Sequence, residues 1–242
     1  MDDARLATAP AGSAAPAHAG HAHAVYVWEA PVRLWHWVMM FAMFVLIGTG
    51  YLIGVPPPSV GGEAYNTFWF GYIRFLHFAA GYIFAIMFVV RVYWAFVGNK
   101  YAREIFVLPL TMFTAKFWKG MFNDVVFYLY ITREPGSYEG HNPLAAFAMF
   151  FMYVLGTVWM ILSGFALYGE GTGMDSWAFR FFTSWLQPLV GDSMLLHTLH
   201  RLGMWYLILF SIVHMYMVVR QDIFTRETII STMVNGWRVT KP

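Results

Sequence analysis

The sequence contains no cysteine in its 242 residues. Disulfide bonds, thiolate metal sites and iron–sulfur clusters held by the chain itself are therefore excluded. Any redox centre in this protein must be held by histidine or methionine side chains, or be bound without a covalent link to the chain.

Charge is the second scarce property. Only 12% of the residues are Asp, Glu, Lys or Arg, whereas 59% are hydrophobic and 20% are aromatic. In a soluble domain about a quarter of the residues are charged and about half are apolar. The composition therefore predicts an integral membrane protein. The formal net charge of +2 is close to zero, so no nucleic-acid partner is expected.

The first two dozen residues differ in composition from the rest. Residues 1–24 are rich in Ala, Pro, Gly and His, and such a segment cannot form an apolar core. We expect a disordered N-terminal arm there, followed by one domain over residues 25–242. The arm lacks the basic start and apolar stretch of a signal peptide. His18, His21 and His23 are loosely spaced like metal ligands, but a flexible tail is the favoured interpretation.

Four apolar runs are long enough to cross about 30 Å of hydrocarbon as helices. We number them spans I to IV; they cover residues 33–54, about 68–97, about 144–168 and about 194–219. An aromatic stretch at residues 113–130 predicts an interfacial helix between spans II and III. The predicted fold is an all-α integral membrane protein, a four-helix transmembrane bundle with one interfacial or cytoplasmic helix.

Basic residues are concentrated in two of the segments outside the spans. The loop between spans II and III and the C-terminal tail contain Lys100, Arg103, Lys116, Lys119, Arg133, Arg220, Arg226, Arg238 and Lys241. The loop at residues 55–67 has no Lys or Arg, and the loop at residues 169–193 has only Arg180. By the positive-inside rule, both termini and the middle loop face the cytoplasm. The two short loops face the other side, which is the periplasm if the protein lies in the inner membrane of a bacterium.

Four histidines lie inside the spans, where an ionisable side chain is costly and is a functional candidate by default. His36 and His214 lie near the cytoplasmic ends of spans I and IV. His77 and His200 lie near the periplasmic ends of spans II and IV. The four therefore form two layers, each with one histidine from each of two helices.

The spacing within span IV makes this pattern more specific. His200 and His214 are separated by fourteen residues, which is about 40° short of four full turns and a rise of about 21 Å. The two imidazoles therefore share one face of the helix at two depths. This arrangement suits two haems stacked across the membrane, each held between two histidines. A haem held in this way has no open axial position, so it passes electrons and does not bind oxygen.

Other residues at these depths fit the same arrangement. Gly50 would let the periplasmic porphyrin lie against span I, since a glycine has no side chain to obstruct it. Arg91 supplies a cation for the propionates of the cytoplasmic haem, and Arg74 and Arg201 do so for the periplasmic haem. Snorkelling to the membrane interface explains Arg74 and Arg91 almost as well.

The histidines also have simpler interpretations. A single intramembrane histidine can bond a neighbouring helix without binding a cofactor, but four at matched depths favour ligands. His197 lies about 60° from His200 around the helix, so we assign it to the periplasmic mouth rather than to a haem.

Five segments of the chain carry a family resemblance. They are RLWHWVMMFAMFVLIGTG in span I, HTLHRLGMWYLILFSIVH in span IV, GYIRFLHFAAGYIFA, GHNPLAAFAMFF and the tail STMVNGWR. These segments resemble the b-type cytochrome subunit of membrane-bound nickel–iron uptake hydrogenases, a family that shares its plan with formate dehydrogenase membrane subunits. The resemblance covers the chain from Val25 to the C-terminus, and the motifs agree with the family in order and spacing.

The resemblance implies a di-haem membrane anchor with two haem b groups. Carried onto this sequence, it implies His36 and His214 as ligands of the cytoplasmic haem and His77 and His200 as ligands of the periplasmic haem. The implied partners are the small and large subunits of a nickel–iron hydrogenase. Electrons would come from the iron–sulfur clusters of the small subunit and go to a quinone of the respiratory chain, ubiquinone or menaquinone. Without cysteines, this chain cannot split hydrogen itself.

The family places the quinone near the cytoplasmic end of the bundle. Candidate groups in this sequence are His141, Asn142, Tyr138, Glu29 and Arg33. A protonatable group near the quinone oxygens is needed to deliver protons. For His141, helix capping or solvation at the interface is an equally good interpretation.

Three other functions stay open at this point. A formate dehydrogenase membrane subunit would have the same architecture, although the fuller motif match favours the hydrogenase. A free-standing di-haem quinone oxidoreductase would need no fixed partner. A haem-free transporter could use the histidines as a metal or proton path, but the inverted repeats and broken helices typical of transporters are not visible in the sequence.

Overall fold

The computed structural model describes residues 23–57, 68–132, 136 and 138–240. In chain order its elements are β1 His23–Tyr26, α1 Ala30–Gly54, α2 Trp69–Val97, α3 Lys100–Thr111, α4 Ala115–Tyr128, α5 Pro143–Ala148, a π-helical segment Met149–Val154, α6 Leu155–Thr172, a second π-helical segment Phe179–Thr183, α7 Ser184–Val190, α8 Ser193–Thr225, α9 Ile229–Asn235 and β2 Trp237–Thr240. Most of the predicted N-terminal arm, including His18 and His21, lies outside the described residues.

Within the part of the chain that the structure describes, four helical stretches have the length and hydropathy of membrane spans. They are α1, α2, the continuous stretch Pro143–Thr172 and α8. The predicted four-helix membrane fold is confirmed. The clearest difference in bounds is at α8, which continues six residues past the predicted end of span IV to Thr225.

Local interactions, namely proline positions and N-cap hydrogen bonds, define where several of these helices begin or end. Helix α1 has a proline in its first turn, where a missing backbone donor costs nothing, and it ends just before Pro56. Asp192 caps α8 by accepting a hydrogen bond from the Leu195 amide at 2.7 Å. Asn142 caps α5 in the same way, through the Ala145 amide at 2.6 Å. These caps satisfy backbone donors that have no partner in the first turn of a helix.

The third span contains a feature that was not predicted. Its π-helical segment Met149–Val154 lies between α5 and α6. A π-helical turn leaves the apolar composition of a span unchanged, so hydropathy does not reveal it. The segment carries Tyr153, whose ring packs against Trp35 of α1 at 5.8 Å and Phe210 of α8 at 5.5 Å between centroids. It therefore belongs to the central apolar core of the bundle.

The described residues between the second and third spans form two helices, not one. Helix α4 corresponds to the predicted interfacial helix, whereas α3 was missed. Its sequence mixes charged residues with an internal proline and has no long apolar run. Burial of Ala102, Ile105 and Leu108 on one face stabilises it in the folded protein.

A small sheet joins the two ends of the described chain. Strands β1 and β2 pair antiparallel, with His23 opposite Thr240 and Tyr26 opposite Trp237. Strand β1 includes His23 and Ala24, which belong to the arm predicted from the sequence. Val27 and Trp28, which follow β1, pack against α3. We call this end of the bundle, with β1, β2, α3, α4 and α9, the sheet end, and the opposite end, with α7, the far end.

Candidate functional site

The histidine pair nearer the far end is formed by His77 of α2 and His200 of α8. The two imidazoles are near enough to interact electrostatically. Each also contacts a hydroxyl group from another helix. His77 Nδ1 lies 2.8 Å from Thr49 Oγ1 of α1, and His200 Nδ1 lies 2.7 Å from Ser163 Oγ of α6. All four spans therefore contribute to this layer.

The direction of these hydrogen bonds follows from the other bonds of the hydroxyl groups. Thr49 Oγ1 lies 2.6 Å from the carbonyl oxygen of Val45 and must donate its hydrogen to it. Ser163 Oγ donates in the same way to the carbonyl oxygen of Trp159 at 2.7 Å. Each hydroxyl oxygen then accepts from a histidine Nδ1–H. Because a neutral imidazole carries one proton, its Nε2 is left with a free lone pair, which is the form that binds a metal.

A glycine lies directly beside each of these two histidine rings. A Cβ at Gly50 would lie 3.2 Å from His77 Cε1, and a Cβ at Gly164 would lie 3.4 Å from His200 Cε1. The structure therefore brings the predicted Gly50 to the His77 ring, and its contact with a porphyrin stays a prediction. The sequence analysis did not identify Ser163 and Gly164. Gly164 nevertheless resembles Gly50, because each follows a hydroxyl residue at the depth of a histidine.

The second histidine pair, His36 of α1 and His214 of α8, lies nearer the sheet end. These imidazoles are also near enough to interact electrostatically. His214 stacks on Phe210, with centroids 5.5 Å apart and an interplanar angle of 18°. His36 Nδ1 is buried and has no hydrogen-bond partner within the described residues. The two layers therefore differ in how their imidazoles are held.

Arg91 is a buried cation at the sheet-end layer. Its side chain is 2% exposed and lies over the rings of Trp35 and Phe106. One guanidinium nitrogen donates to the carbonyl oxygen of Ala102 at 2.6 Å. Its Nε and Nη1 have no partner among the described residues. Because the guanidinium is enclosed by protein, snorkelling to water does not explain Arg91, whereas an anionic group would satisfy its free donors.

The other two arginines predicted as propionate partners are in more open positions. Arg74 is exposed on α2. The Arg201 guanidinium lies beside Gly54, with its Nε 3.7 Å from the position of a Cβ there. Their role toward a haem stays a prediction.

Glu29 and Arg33 are two of the five residues predicted for the quinone. Both form hydrogen bonds that join elements of the sheet end. The Glu29 carboxylate accepts hydrogen bonds from Trp94 Nε1 at 2.9 Å and from the Asn99 amide at 3.0 Å. These bonds join the start of α1 to the end of α2. Arg33 donates to the carbonyl oxygen of Val234, which ties α1 to α9.

The other three predicted residues precede the third span. The backbone amide of His141 donates to Glu104 Oε2 at 2.8 Å, and its Nδ1 lies 3.1 Å from the same oxygen. Asn142, the cap of α5, also donates from its side chain to Gln221 Oε1 at 3.2 Å. Tyr138 lines a cleft of about 440 Å³ that opens beside Lys116, Lys119 and Asn123 of α4. His141 is thus a hydrogen-bond partner of Glu104, and its neighbour Asn142 caps α5.

Sequence reasoning missed a buried carboxyl group close to these residues. Asp124 of α4 is 3% exposed and accepts a hydrogen bond from the Leu144 amide at 3.3 Å. Burial raises the pKa of Asp124 to about 6, and the Leu144 amide opposes this shift. Burial, together with the charge of Asp124, also raises the pKa of Tyr138. The sheet end therefore contains a carboxyl group that exchanges its proton near neutral pH.

The raised pKa of Asp124 gives a pH dependence of stability with a definite sign. The folded protein holds this proton more tightly than the unfolded chain, so stability falls as the pH rises from about 4 to about 6 and is constant above that range. We expect the stability of Asp124→Asn to show no such fall with pH. In the unaltered protein the fall amounts to at most about 3 kcal/mol at pH 7.5. Thermal unfolding in detergent at pH 4.5 and 7.5 measures it.

Asp175→Asn is the matched control, because the Asp175 side chain is fully exposed. We expect this variant to show the same pH dependence as the unaltered protein. An Asp124→Asn variant that loses as much stability between the two pH values as the unaltered protein would contradict the assignment.

Comparison with known proteins identifies relatives that cover most of the chain. Residues 27–236 match the family described as prokaryotic cytochrome b561. A probable Ni/Fe-hydrogenase B-type cytochrome subunit of Azotobacter vinelandii is 54% identical over 218 residues, which is 90% of each protein. The protein of that name in Cupriavidus necator is 51% identical, over 90% of this chain and 88% of its own length. The probable Ni/Fe-hydrogenase 1 B-type cytochrome subunit of Escherichia coli is 48% identical, over 89% of this chain and 91% of its own length.

Proposed function

The chain belongs to the prokaryotic cytochrome b561 family, and from that premise we propose that it carries electrons from a Ni/Fe hydrogenase to the quinone pool. Relatives that cover about nine-tenths of the chain are named as B-type cytochrome subunits of Ni/Fe hydrogenases. A B-type cytochrome contains haem b and transfers electrons. The observation that carries the proposal is the presence of two imidazole pairs at two depths of the bundle.

The residues of both layers fit a haem b. His77 and His200 present Nε2 as the free nitrogen, because Thr49 and Ser163 bind Nδ1. These two histidines would hold one haem, and His36 and His214 would hold the other. When bound between two imidazoles, haem supplies one-electron transfer with no site for oxygen. The free Nε and Nη1 of the buried Arg91 provide donors for a propionate near the sheet end.

The distribution of charge supports an orientation in the membrane. Basic side chains are concentrated at the sheet end, which includes Lys100, Arg103, Lys116 and Lys119. We assign this end, and both chain termini, to the cytoplasm of a bacterium whose inner membrane holds the protein. The far end then faces the periplasm, where the hydrogenase small and large subunits would bind.

The quinone is assigned to the sheet end, close to His141 and Tyr138. Quinone reduction consumes protons as well as electrons, so a group that exchanges protons near neutral pH is needed close by. Asp124, whose pKa burial raises to about 6, meets this requirement. His141, which is hydrogen-bonded to Glu104, is a second candidate for proton delivery. Glu29 and Arg33 also link elements of the sheet end through their hydrogen bonds, and their contact with the quinone stays a prediction.

The alternatives from the sequence receive less support. The names of the relatives favour a hydrogenase over a formate dehydrogenase or a free-standing cytochrome as the functional context. Membership in a cytochrome family argues against a haem-free transporter.

The decisive experiment is a reduced-minus-oxidised spectrum of the purified complex under hydrogen, with haem quantified as its pyridine haemochrome. We expect about two b haems per chain, both reduced by hydrogen. Formate in place of hydrogen is the control and should reduce neither. Haem that is reduced by dithionite but not by hydrogen would contradict the hydrogenase partner, and a preparation without haem would contradict the ligand assignment.

A further inference from the structure

The two histidine layers differ in one chemical respect. Both imidazoles of the far-end pair donate Nδ1–H to a hydroxyl oxygen, at 2.8 Å for His77 and 2.7 Å for His200. In the sheet-end pair, His36 Nδ1 has no partner among the described residues, and His214 has an aromatic ring, Phe210, stacked on it.

The hydroxyl groups are fixed in position by their own helices. Thr49 donates to the carbonyl oxygen four residues earlier in α1, and Ser163 does the same in α6. Each side chain therefore has one orientation in which its oxygen lone pairs face the histidine. Thr49 is 7% exposed and Ser163 is 0% exposed, so water does not compete for these bonds.

A glycine lies beside each of these imidazole rings. A Cβ at Gly50 would approach His77 Cε1 to 3.2 Å, which is tighter than an ordinary contact, so Gly50 gives the His77 ring room to reach Thr49. A Cβ at Gly164 would lie 3.4 Å from His200 Cε1, at the edge of ordinary contact. In both α1 and α6, a hydroxyl residue followed by glycine therefore lies against the ring.

A hydrogen bond from Nδ1–H to an oxygen acceptor has a known effect on a metal-bound imidazole. It fixes the ring orientation and the tautomer, and it makes Nε2 a stronger electron donor. A stronger donor stabilises ferric over ferrous iron and so lowers the reduction potential, which second-shell hydrogen bonds tune in haem proteins. Two such bonds act together on the far-end layer, because each of its imidazoles has one.

We propose that Thr49 and Ser163 are positioning residues that lower the reduction potential of the haem held by His77 and His200 below that of the haem held by His36 and His214. The proposal rests on the haem assignment of the proposed function. It makes electron transfer from the far end to the sheet end energetically downhill. Two side-chain hydroxyl groups that bind neither haem nor substrate thus favour electron transfer in this direction.

The test is redox potentiometry of the purified complex, following the b-haem absorption bands of Thr49→Val and Ser163→Ala. Valine keeps the shape of threonine and removes the hydroxyl. In each variant we expect the lower of the two midpoint potentials to rise and the higher one to stay unchanged. In the double variant the two potentials should move closer together than in either single variant.

Two controls separate tuning from a general structural effect. Thr49→Ser keeps the hydroxyl and should restore the potential of the unaltered protein. Ser211→Ala removes a hydroxyl in α8 that bonds to the Leu207 carbonyl oxygen and to Met43, not to a histidine, and should leave both potentials unchanged. If Thr49→Val loses one haem while Thr49→Ser retains both, the positioning role is supported.

The proposal is overturned if Thr49→Val and Ser163→Ala retain two haems with unchanged potentials. It is also overturned if both potentials shift equally, or if Ser211→Ala shifts them as much. These results differ from a failure of the proposed function, in which the unaltered complex itself would lack two haems reducible by hydrogen.

Discussion

Replacing His200 with alanine is expected to remove the haem of the far-end layer and leave the haem of the sheet-end layer. The haem content should fall from about two to about one per chain, because a single remaining imidazole, His77, cannot hold the iron from both sides. Loss of a partner that only supports a metal ligand costs about 10–100-fold in affinity or activity. Loss of the ligand itself should therefore reduce hydrogen-dependent quinone reduction by more than about 100-fold. Haem quantification and quinone reduction assays measure the two effects.

The equivalent change in the other layer distinguishes the two sites. His36→Ala should also leave about one haem per chain, but the remaining haem should have the lower of the two potentials. His197→Ala is the control, because the His197 side chain is exposed and its Nδ1 is bonded to the Ser193 carbonyl oxygen of its own helix at 2.9 Å. It should keep both haems. If His197→Ala lost a haem while His200→Ala kept two, the assignment of His200 would be wrong.

Replacing Arg238 with alanine is expected to destabilise the sheet end by about 3–5 kcal/mol, the usual cost of breaking a buried ion pair. Arg238 and Glu227 are each 5% exposed, and their charged groups lie 2.8 Å apart. Arg238 also donates to the carbonyl oxygens of Glu139 and Gly140, just before His141. Its loss would leave the Glu227 carboxylate buried without a counter-ion. Thermal unfolding in detergent, followed by circular dichroism, measures the change.

An exposed ion pair of the same end provides the matched control. The Lys100 ammonium group lies 3.0 Å from the Glu139 carboxylate, but the two side chains are 71% and 52% exposed. Lys100→Ala should change stability far less than Arg238→Ala, because water screens an exposed ion pair. Combining Arg238→Met with Glu227→Met should recover most of the lost stability, because no buried charge then remains. If Arg238→Ala and Lys100→Ala had equal effects, the buried pair would not be a major support of the sheet end.

The candidate site could be predicted in part. The depth of each histidine follows from its distance to the end of its span, and helical geometry then assigns two layers. The partners of these histidines could not be predicted, since Thr49 and Ser163 lie 28 and 37 residues away from them in the chain. The buried environment of Asp124 was also not visible, because an acidic residue in an interfacial helix is usually exposed to water.

For the residues assigned to the quinone, the contacts with distant parts of the chain likewise could not be predicted from the sequence. Glu29, Arg33 and Asn142 are candidates because the family resemblance places the quinone near the cytoplasmic end of the bundle, where these polar residues lie. Each of them makes hydrogen bonds that link different elements of the sheet end. Polar character near a boundary does not distinguish a side chain that binds a ligand from one that joins helices, because both roles use the same chemical groups.

By itself the sequence determined the membrane character of this protein, its four spans and the depth of His36, His77, His200 and His214 within them. These properties depend on local hydrophobicity and on the fixed rise of an α-helix, both of which can be read from neighbouring residues. Only the tertiary structure decided that α3 forms, that β1 pairs with β2, that Arg91 is enclosed, and that hydroxyl groups hold one histidine pair but do not hold His36. These features depend on contacts between helices distant in sequence, which the apolar pattern of each helix does not specify.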